Sequence, residues 1–141
     1  MANFDKEFDK LILAEGGYVN DPDDAGGETY LGISRKNNPK WTGWSIIDKE
    51  KKNGTKNITS RLKTNKNLTD KAKLLYKQNY WDVLELDNIP SQKIAHQLFD
   101  TCVNCGKTVA IRIAQQVIGM TVTGKWSDEL YYNLLRYGKG K

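Results

Sequence analysis

Apolar residues recur at helical spacing in several segments of this 141-residue chain. Phe4 and Phe8 stand four residues apart, a spacing that places both side chains on one face of a helix. Asn3 can cap this helix, and the glycine pair at 16–17 ends it. Residues 17–33 are instead rich in glycine, aspartate and proline, which predicts a loop with short extended pieces. The sequence therefore predicts a mainly α fold of about six helices, with a Gly/Asp-rich loop and little or no sheet.

Cap residues predict where the later helices begin. A serine or threonine side chain can accept a hydrogen bond from a free backbone N–H in the first turn of a helix. The predicted caps are Ser45, Thr69, Ser91 and Ser127. Residues 53–67, which lie between the first two caps, show no apolar period and are interpreted as a flexible connection.

Composition indicates a globular chain. Hydrophobic residues make up 38% and charged residues 28% of the sequence, which at this length is enough for the core of one domain. No apolar run approaches the roughly 18 residues that cross a bilayer, so we expect no stable membrane insertion. The N-terminus is charged and lacks the apolar stretch of a signal peptide, so we expect synthesis in the cytoplasm.

Charge is distributed unevenly along the chain. Residues 1–31 hold eight acidic and two basic residues, whereas residues 32–81 hold thirteen basic and three acidic ones. A basic surface attracts polyanions such as nucleic acid or an anionic cell wall. For the basic part between 49 and 67, a solvated Lys/Asn-rich linker is an equally open interpretation.

The acidic part of the chain offers a candidate for acid–base chemistry. Glu15 falls in the last turn of the first predicted helix, where the helix dipole already places negative charge. Nearby acidic residues should raise its pKa further; they are Asp21, Asp23, Asp24 and Glu28. A carboxyl group that keeps its proton near neutral pH can act as the general acid of glycoside cleavage. The local sequence leaves a second interpretation open, in which Glu15 is an exposed residue at a helix end.

The same loop forms an incomplete calcium motif. Asp21, Asp23 and Gly26 match positions 1, 3 and 6 of an EF-hand loop. Positions 5 and 12 hold Ala25 and Gly32, which supply no side-chain oxygen. We therefore expect no metal and no other cofactor.

The two cysteines and the single histidine do not complete a zinc site either. Such a site needs about four ligands, and Cys102, Cys105 and His96 are only three. All three are predicted to have structural roles within helices.

Two groups of motifs carry a resemblance to a known family. The first group is Glu15-Gly-Gly-Tyr18 followed by Asp23-Asp24-Ala25-Gly26-Gly27-x-Thr29-x-x-Gly32-Ile33. The second group is Tyr80-Trp81-Asp82 with Leu98-Phe99-Asp100-x-x-x-Asn104-x-Gly106. Together they resemble glycoside hydrolase family 108, a family of bacterial and phage muramidases that includes proteins described as secretion activators. The resemblance implies a lysozyme-like helical domain whose Gly/Asp-rich loop carries the active site.

The resemblance assigns three catalytic roles. Glu15 matches the catalytic glutamate of the family and would donate its proton to the leaving oxygen. Asp24 would act as the base or as the carboxylate that stabilises the oxocarbenium ion. Thr29 would hold the attacking water with its hydroxyl group. Retention or inversion depends on the separation of the two carboxyl groups.

The resemblance also suggests residues that contact the substrate. They are Tyr18, Gly26, Gly27, Tyr30, Trp81 and Asn104. The glycines would let the backbone approach a sugar closely or adopt positive φ. The aromatic residues would stack on sugars or line a groove, and for each of them core packing is the alternative.

The resemblance predicts a catalytic region at 1–88 and a helical, peptidoglycan-binding-like segment at 89–141, packed together as one compact unit. The predicted function is hydrolysis of the β-1,4 bond between N-acetylmuramic acid and N-acetylglucosamine in peptidoglycan, with a phage endolysin as one setting. A non-catalytic peptidoglycan-binding module and a basic nucleic-acid-binding helical protein are the alternatives. The presence of Glu15, Asp24 and Thr29 together favours the enzyme.

The expected partner is peptidoglycan and not nucleic acid, and the expected oligomeric state is a monomer. We expect the protein to reach the cell wall or periplasm through a holin or a secretion system.

Overall fold

A computed structural model describes residues 2–14, 16–23 and 27–139 of the chain. This part contains seven α-helices and a small three-stranded sheet, which confirms the predicted mainly α, lysozyme-like class. The helices are α1 (Phe4–Ala14), α2 (Gly43–Lys52), α3 (Ile58–Lys63), α4 (Lys66–Tyr76), α5 (Gln92–Cys105), α6 (Lys107–Val117) and α7 (Asp128–Lys139). A π-helical turn at Lys77–Trp81 and two short 3₁₀ turns at Asp82–Leu84 and Leu86–Asn88 connect α4 to α5.

Three of the five predicted helix caps are confirmed. The Asn3 side-chain oxygen accepts a hydrogen bond from the Lys6 N–H at 3.4 Å. The Ser91 hydroxyl accepts one from the Ile94 N–H at 3.2 Å, and the Ser127 hydroxyl accepts one from the Leu130 N–H at 3.1 Å. In each case the side chain supplies an acceptor to the first turn, as the sequence predicts.

The other two predicted caps are wrong, because each residue lies inside a helix. Ser45 is the third residue of α2, and its hydroxyl donates to the Thr42 carbonyl oxygen at 2.9 Å. Thr69 is the fourth residue of α4. The residue that caps α4 is Asn65, whose side-chain oxygen accepts from the Leu68 N–H at 3.0 Å.

The three strands form one antiparallel hairpin sheet. They are β1 (Tyr18–Asn20), β2 (Glu28–Tyr30) and β3 (Ile33–Ser34), in the order β1-β2-β3. The turn between β2 and β3 holds Leu31 and Gly32 at φ 51° and 80°. A positive φ is easily adopted by glycine but costs energy at leucine. Leu31 is buried, so packing of its side chain holds the turn in place.

The prediction of a flexible connection at 53–67 is wrong. Helix α3 occupies the middle of this stretch, and its side chains Ile58 and Leu62 are buried. Arg61 ties the helix to the end of α2, because its Nε donates to the Glu50 carboxylate at 3.1 Å. A six-residue helix shows too few turns for its apolar period to stand out in the sequence.

The described chain divides into two compact units. The hairpin unit comprises residues 8–75, and the helical unit comprises residues 1–7 with 76–141. The boundary at residue 88 predicted from the sequence separates functions rather than compact units, and it stays a prediction.

An aromatic cluster forms the core of the helical unit. Trp81 is fully buried, and its ring lies edge-on to Phe4 at 5.4 Å and to Phe99 at 5.8 Å between centroids. Its indole N–H donates to the Asp87 carboxylate at 2.8 Å. Because the ring packs on two phenylalanines and its N–H has a partner, Trp81 stabilises this core.

A buried acid in the helical unit explains the only histidine. Glu7 is almost fully buried, and its carboxylate contacts the ring nitrogen of His96 and the side-chain amide of Gln92. Burying a carboxylate requires such partners, so His96 has the predicted structural role. The Cys102 thiol is also buried, in agreement with a structural role, and burial raises its pKa to about 11. The Cys105 side chain is exposed, so the predicted structural role is wrong for this residue.

Candidate active site

One ion-pair cluster organises the hairpin. The Glu28 carboxylate accepts a hydrogen bond from the Tyr18 hydroxyl, one from the Arg35 guanidinium at 2.9 Å, and one from the Lys51 ammonium at 2.8 Å. Arg35 also donates through two nitrogens to the two oxygens of Asp48, both at 2.8 Å. These five residues, the Glu28 cluster, join β1, β2, the chain after β3, and α2.

The electrostatics of the Glu28 cluster keep both acids ionised. Burial acts to raise the pKa of Glu28, but hydrogen bonds from Lys51, Tyr18 and Arg35 outweigh it and hold the pKa below its ordinary value. The hydrogen bonds from Arg35 likewise lower the pKa of Asp48. The hydrogen bond to Glu28 raises the pKa of Lys51. Glu28 is therefore a fixed carboxylate and not a proton donor near neutral pH.

The ion pairs of Glu28 change its expected effect on Glu15. The sequence counts Glu28 among the acids that raise the pKa of Glu15. In the structure the Glu28 charge is compensated by Arg35 and Lys51, so it adds little repulsion to a neighbouring carboxylate.

Thr29 lies next to the Glu28 cluster on β2 but on the other face of the sheet. Side chains alternate between the two faces of a strand, so Glu28 and Tyr30 share one face and Thr29 takes the opposite one. On that face Thr29 pairs with Val19 of β1 and Ser34 of β3. Within the described part of the chain, the Thr29 hydroxyl makes no hydrogen bond, so it is free to bind a water molecule or a sugar.

The start of the hairpin is held by a close contact with α3. The Tyr18 backbone N–H donates to the Thr59 hydroxyl at 3.1 Å. A Cβ atom built on Gly17 would lie 2.0 Å from the Thr59 methyl carbon. Only glycine therefore fits at position 17, which gives the second glycine of the Glu15-Gly-Gly-Tyr18 motif a packing role.

Three of the predicted site residues, Glu15, Asp24 and Gly26, lie outside the described residues. Gly27 is described, and its φ is 63°. A positive φ is one of the two roles that the sequence predicts for this glycine. Before it, the Asp21 side chain accepts a hydrogen bond from the Asp23 N–H at 2.9 Å.

The predicted substrate-contacting aromatics have different environments. Tyr18 is partly exposed, with its hydroxyl bonded to Glu28 and its ring 5.8 Å from the Lys51 ammonium. Tyr30 and Trp81 are fully buried, so the prediction that these two rings stack on sugars does not fit the structure. Core packing, the alternative that the sequence left open, is the role that both residues have.

Asn104 is exposed on α5 in the helical unit. Its side-chain amide donates to the Asp100 carbonyl oxygen at 2.8 Å and to the Asp100 carboxylate at 3.3 Å. Both bonds lie within one helix, so Asn104 is held by its own element.

Sequence reasoning missed the Glu28 cluster. Its pairs join residues 7, 10, 13 and 23 positions apart, which no local pattern reveals. The one available signal is an acidic residue at the variable position between Gly27 and Thr29.

Among the described residues, no group of three or more His, Cys, Asp or Glu side chains is placed to hold a metal ion. No described helix combines the length and the apolar character that crossing a bilayer requires.

The helices and the short hairpin after the first helix define a mainly α, lysozyme-like fold, and the hairpin carries the motif with Thr29. The family model of Glycosyl hydrolase 108 matches residues 8–106. The chain therefore belongs to this family and is a glycoside hydrolase.

A solved structure supports this assignment. The structure of Brucella abortus SagA is similar, with 26% sequence identity and a TM-score of 0.61. The match covers 94% of this chain and 68% of that chain. Among curated proteins, none matches the sequence.

Proposed function

We propose that the protein is a muramidase that hydrolyses the β-1,4 bond between N-acetylmuramic acid and N-acetylglucosamine in peptidoglycan. The observation that carries the proposal is the family match, which spans the whole motif from Glu15 to Ile33. The geometry of the hairpin supports it, because β2 holds Thr29 next to Glu28 of the ion-pair cluster, and the Thr29 hydroxyl makes no hydrogen bond to another described residue.

In the proposed mechanism Glu15 is the general acid. Glycoside cleavage needs a carboxyl group that is protonated near neutral pH. Glu28 and Asp48 do not meet this need, because their cationic partners lower their pKa values. Glu15 thus remains the candidate within the motif, and it directly follows Ala14, the last residue of α1, in the sequence. It would protonate the leaving oxygen as the glycosidic bond breaks.

Asp24 and Thr29 would complete the reaction. The Asp24 carboxylate would stabilise the positive charge that develops on the sugar, or would take a proton from the attacking water. The Thr29 hydroxyl would position this water, which leaves its oxygen on the sugar. The net reaction consumes one water for each bond cleaved.

The proposed setting follows from the substrate. An enzyme with this activity needs access to the cell wall, and a holin or a secretion system would provide it, as for a phage endolysin. We propose a monomer whose macromolecular partner is peptidoglycan rather than nucleic acid.

The test is Glu15→Gln, which removes the transferable proton but keeps the size of the side chain. We expect lysis of purified cell walls to fall by about 10²- to 10⁴-fold, the usual contribution of a general acid, while circular dichroism stays unchanged. Mass spectrometry of the products identifies the reducing sugar and so the bond. Wild-type lysis by the folded variant would reject the mechanism. No hydrolysis by the wild type would favour the non-catalytic binding module.

A further inference from the structure

We propose that Glu28 is a positioning residue of the active site, which fixes strand β2 and thereby the place of Thr29. The inference rests on the proposed function, in which the Thr29 hydroxyl holds the attacking water. Glu28 itself acts through the strand and not on the substrate.

Three separate segments of the chain bond to the Glu28 carboxylate. Tyr18 comes from β1, Arg35 follows β3, and Lys51 belongs to α2. The Glu28 side chain is only 11% exposed, so these donors replace most of its water. One residue of β2 is thus bonded to each neighbouring part of the hairpin and to a helix.

Strand β2 needs such bonds. The strand has three residues, and the sheet has three strands of three, three and two residues. A ladder this short is marginal without further packing. Tyr30 anchors one end of β2 in the core, and the Glu28 cluster anchors the other. Thr29 lies between the two anchors and has no side-chain bond of its own within the described residues.

Helix α2, which supplies Asp48 and Lys51 to the Glu28 cluster, is anchored in the core. Helix α2 buries Trp44 and Ile47, and the indole N–H of Trp44 donates to the Asn38 carbonyl oxygen at 2.7 Å. Asp48 and Lys51 project from this anchored helix to Arg35 and Glu28. Strand β2 is therefore bonded to a helix that is itself packed in the core, and not to another loop.

The test separates positioning from simple stabilisation. In Glu28→Gln the carboxylate is lost, and Arg35 and Lys51 lose their shared charged acceptor. With a soluble glycan of alternating N-acetylglucosamine and N-acetylmuramic acid, well below the unfolding temperature, we expect kcat to fall about 10- to 100-fold, since small displacements of a catalytic group have effects of this size. We expect KM to change less than about twofold, because the substrate contacts remain.

The matched control is Glu50→Gln. Glu50 is also an acid of the hairpin unit with an arginine partner, Arg61 at 3.1 Å, but this pair joins α2 to α3 and not to β2. We expect its kcat to equal that of the wild type. Hydrogen exchange of the backbone amides of residues 28–30 should become faster in Glu28→Gln and stay unchanged in Glu50→Gln.

The outcomes distinguish this inference from the proposed function. If the wild type hydrolyses the glycan but Glu28→Gln has an unchanged kcat, the positioning role is wrong and the proposed function stands. If the wild type hydrolyses no glycan, the proposed function fails, and the exchange rates still report whether Glu28 fixes β2. If Glu28→Gln does not fold, Asp48→Asn serves instead, because it frees Arg35 from α2 and leaves the Glu28 charge in place. Its kcat should fall, and an unchanged value would overturn the inference.

Discussion

At the scale of single residues, the partners of each acid in the hairpin unit decide its role. Glu28 and Asp48 have cationic partners within 2.9 Å and lowered pKa values. Such groups stabilise the fold in their ionised form and cannot hold a proton for catalysis at neutral pH. Under the proposed mechanism, the proton donor must therefore be a carboxyl group other than Glu28 and Asp48.

The lowered pKa of Glu28 predicts how stability depends on pH. Its pKa in the folded protein lies below the ordinary value of 4.5. Between these two pKa values, Glu28 therefore binds more protons in the unfolded chain than in the folded protein. The stabilisation is therefore present above about pH 4.5 and is lost as pH falls through the folded pKa. Urea unfolding at a series of pH values should show a steeper acid loss of unfolding free energy in the wild type than in Glu28→Gln. Equal slopes would contradict the assignment.

The Tyr30 hydroxyl is buried and has no hydrogen-bond partner among the described residues. Burial raises its pKa to about 12. An unsatisfied buried hydroxyl costs about 1–3 kcal/mol, so Tyr30→Phe should raise the free energy of unfolding by about 1 kcal/mol. Tyr18→Phe is the matched control, because it removes a hydroxyl that is bonded to Glu28, and it should lower the free energy of unfolding. A loss of stability in Tyr30→Phe would show that its hydroxyl has a partner in solution.

At the scale of elements, the contact between the start of the hairpin and α3 predicts different effects for two adjacent glycines. Gly17→Ala should destabilise the hairpin unit by about 1–3 kcal/mol, as overpacking does, because the new methyl group would collide with Thr59. Gly16→Ala should be close to neutral, because a Cβ atom there meets nothing within 4 Å. Thermal unfolding of the two variants checks this, and equal unfolding temperatures would rule out the close contact.

The elements that the sequence predicts well are those with local signals. Helices α5 and α7 are capped by Ser91 and Ser127 and carry apolar residues over about three turns or more. Helix α3 has only six residues, and its stability comes from buried Ile58 and Leu62, which periodicity does not reveal. Ser45 and Thr69 lie within the first turn of their helices, and α4 is capped instead by Asn65, four residues before Thr69. A serine or threonine near a helix start therefore does not by itself identify which position is the cap.

The residues of the candidate site also differ in whether a local sequence signal identifies them. Glu15, Asp24 and Thr29 are found by motif resemblance, because their order and spacing are local. The Glu28 cluster depends on how β2 meets α2, which only the fold determines. The sequence does not show that Tyr30 and Trp81 are buried, because an aromatic side chain can pack in a core or stack on a sugar.

At the scale of the whole molecule, the fold sorts the basic residues into two groups. Arg35, Lys51 and Arg61 are paired with carboxylates of the hairpin unit. Other basic residues between 49 and 66 are exposed and form no ion pair among the described residues; they are Lys49, Lys52, Lys56, Lys63 and Lys66. Of these two groups, the second can attract an anionic polymer without disturbing the ion pairs of the hairpin unit.

The exposed lysines predict a salt-dependent lysis rate. Charges on the surface attract an anionic wall at long range, and salt screens them over roughly 8–10 Å at physiological ionic strength. Replacing Lys49, Lys52, Lys56 and Lys63 by glutamine should slow initial lysis on the order of tenfold at low salt. The difference should vanish at high salt. The measurement is the initial rate of turbidity loss against ionic strength.

A control with the same change in net charge tests whether the location of the lysines matters. Lys6, Lys93, Lys107 and Lys125 are also exposed, and they lie in the helical unit. If the segment from 49 to 63 guides binding, glutamine at these four positions should leave the salt curve closer to that of the wild type. Hydrolysis of a small uncharged glycan should be equal in all three proteins, because among the described residues neither set forms a hydrogen bond or ion pair with the Glu28 cluster. Parallel salt curves for the wild type and the first variant would instead assign these lysines to solvation alone.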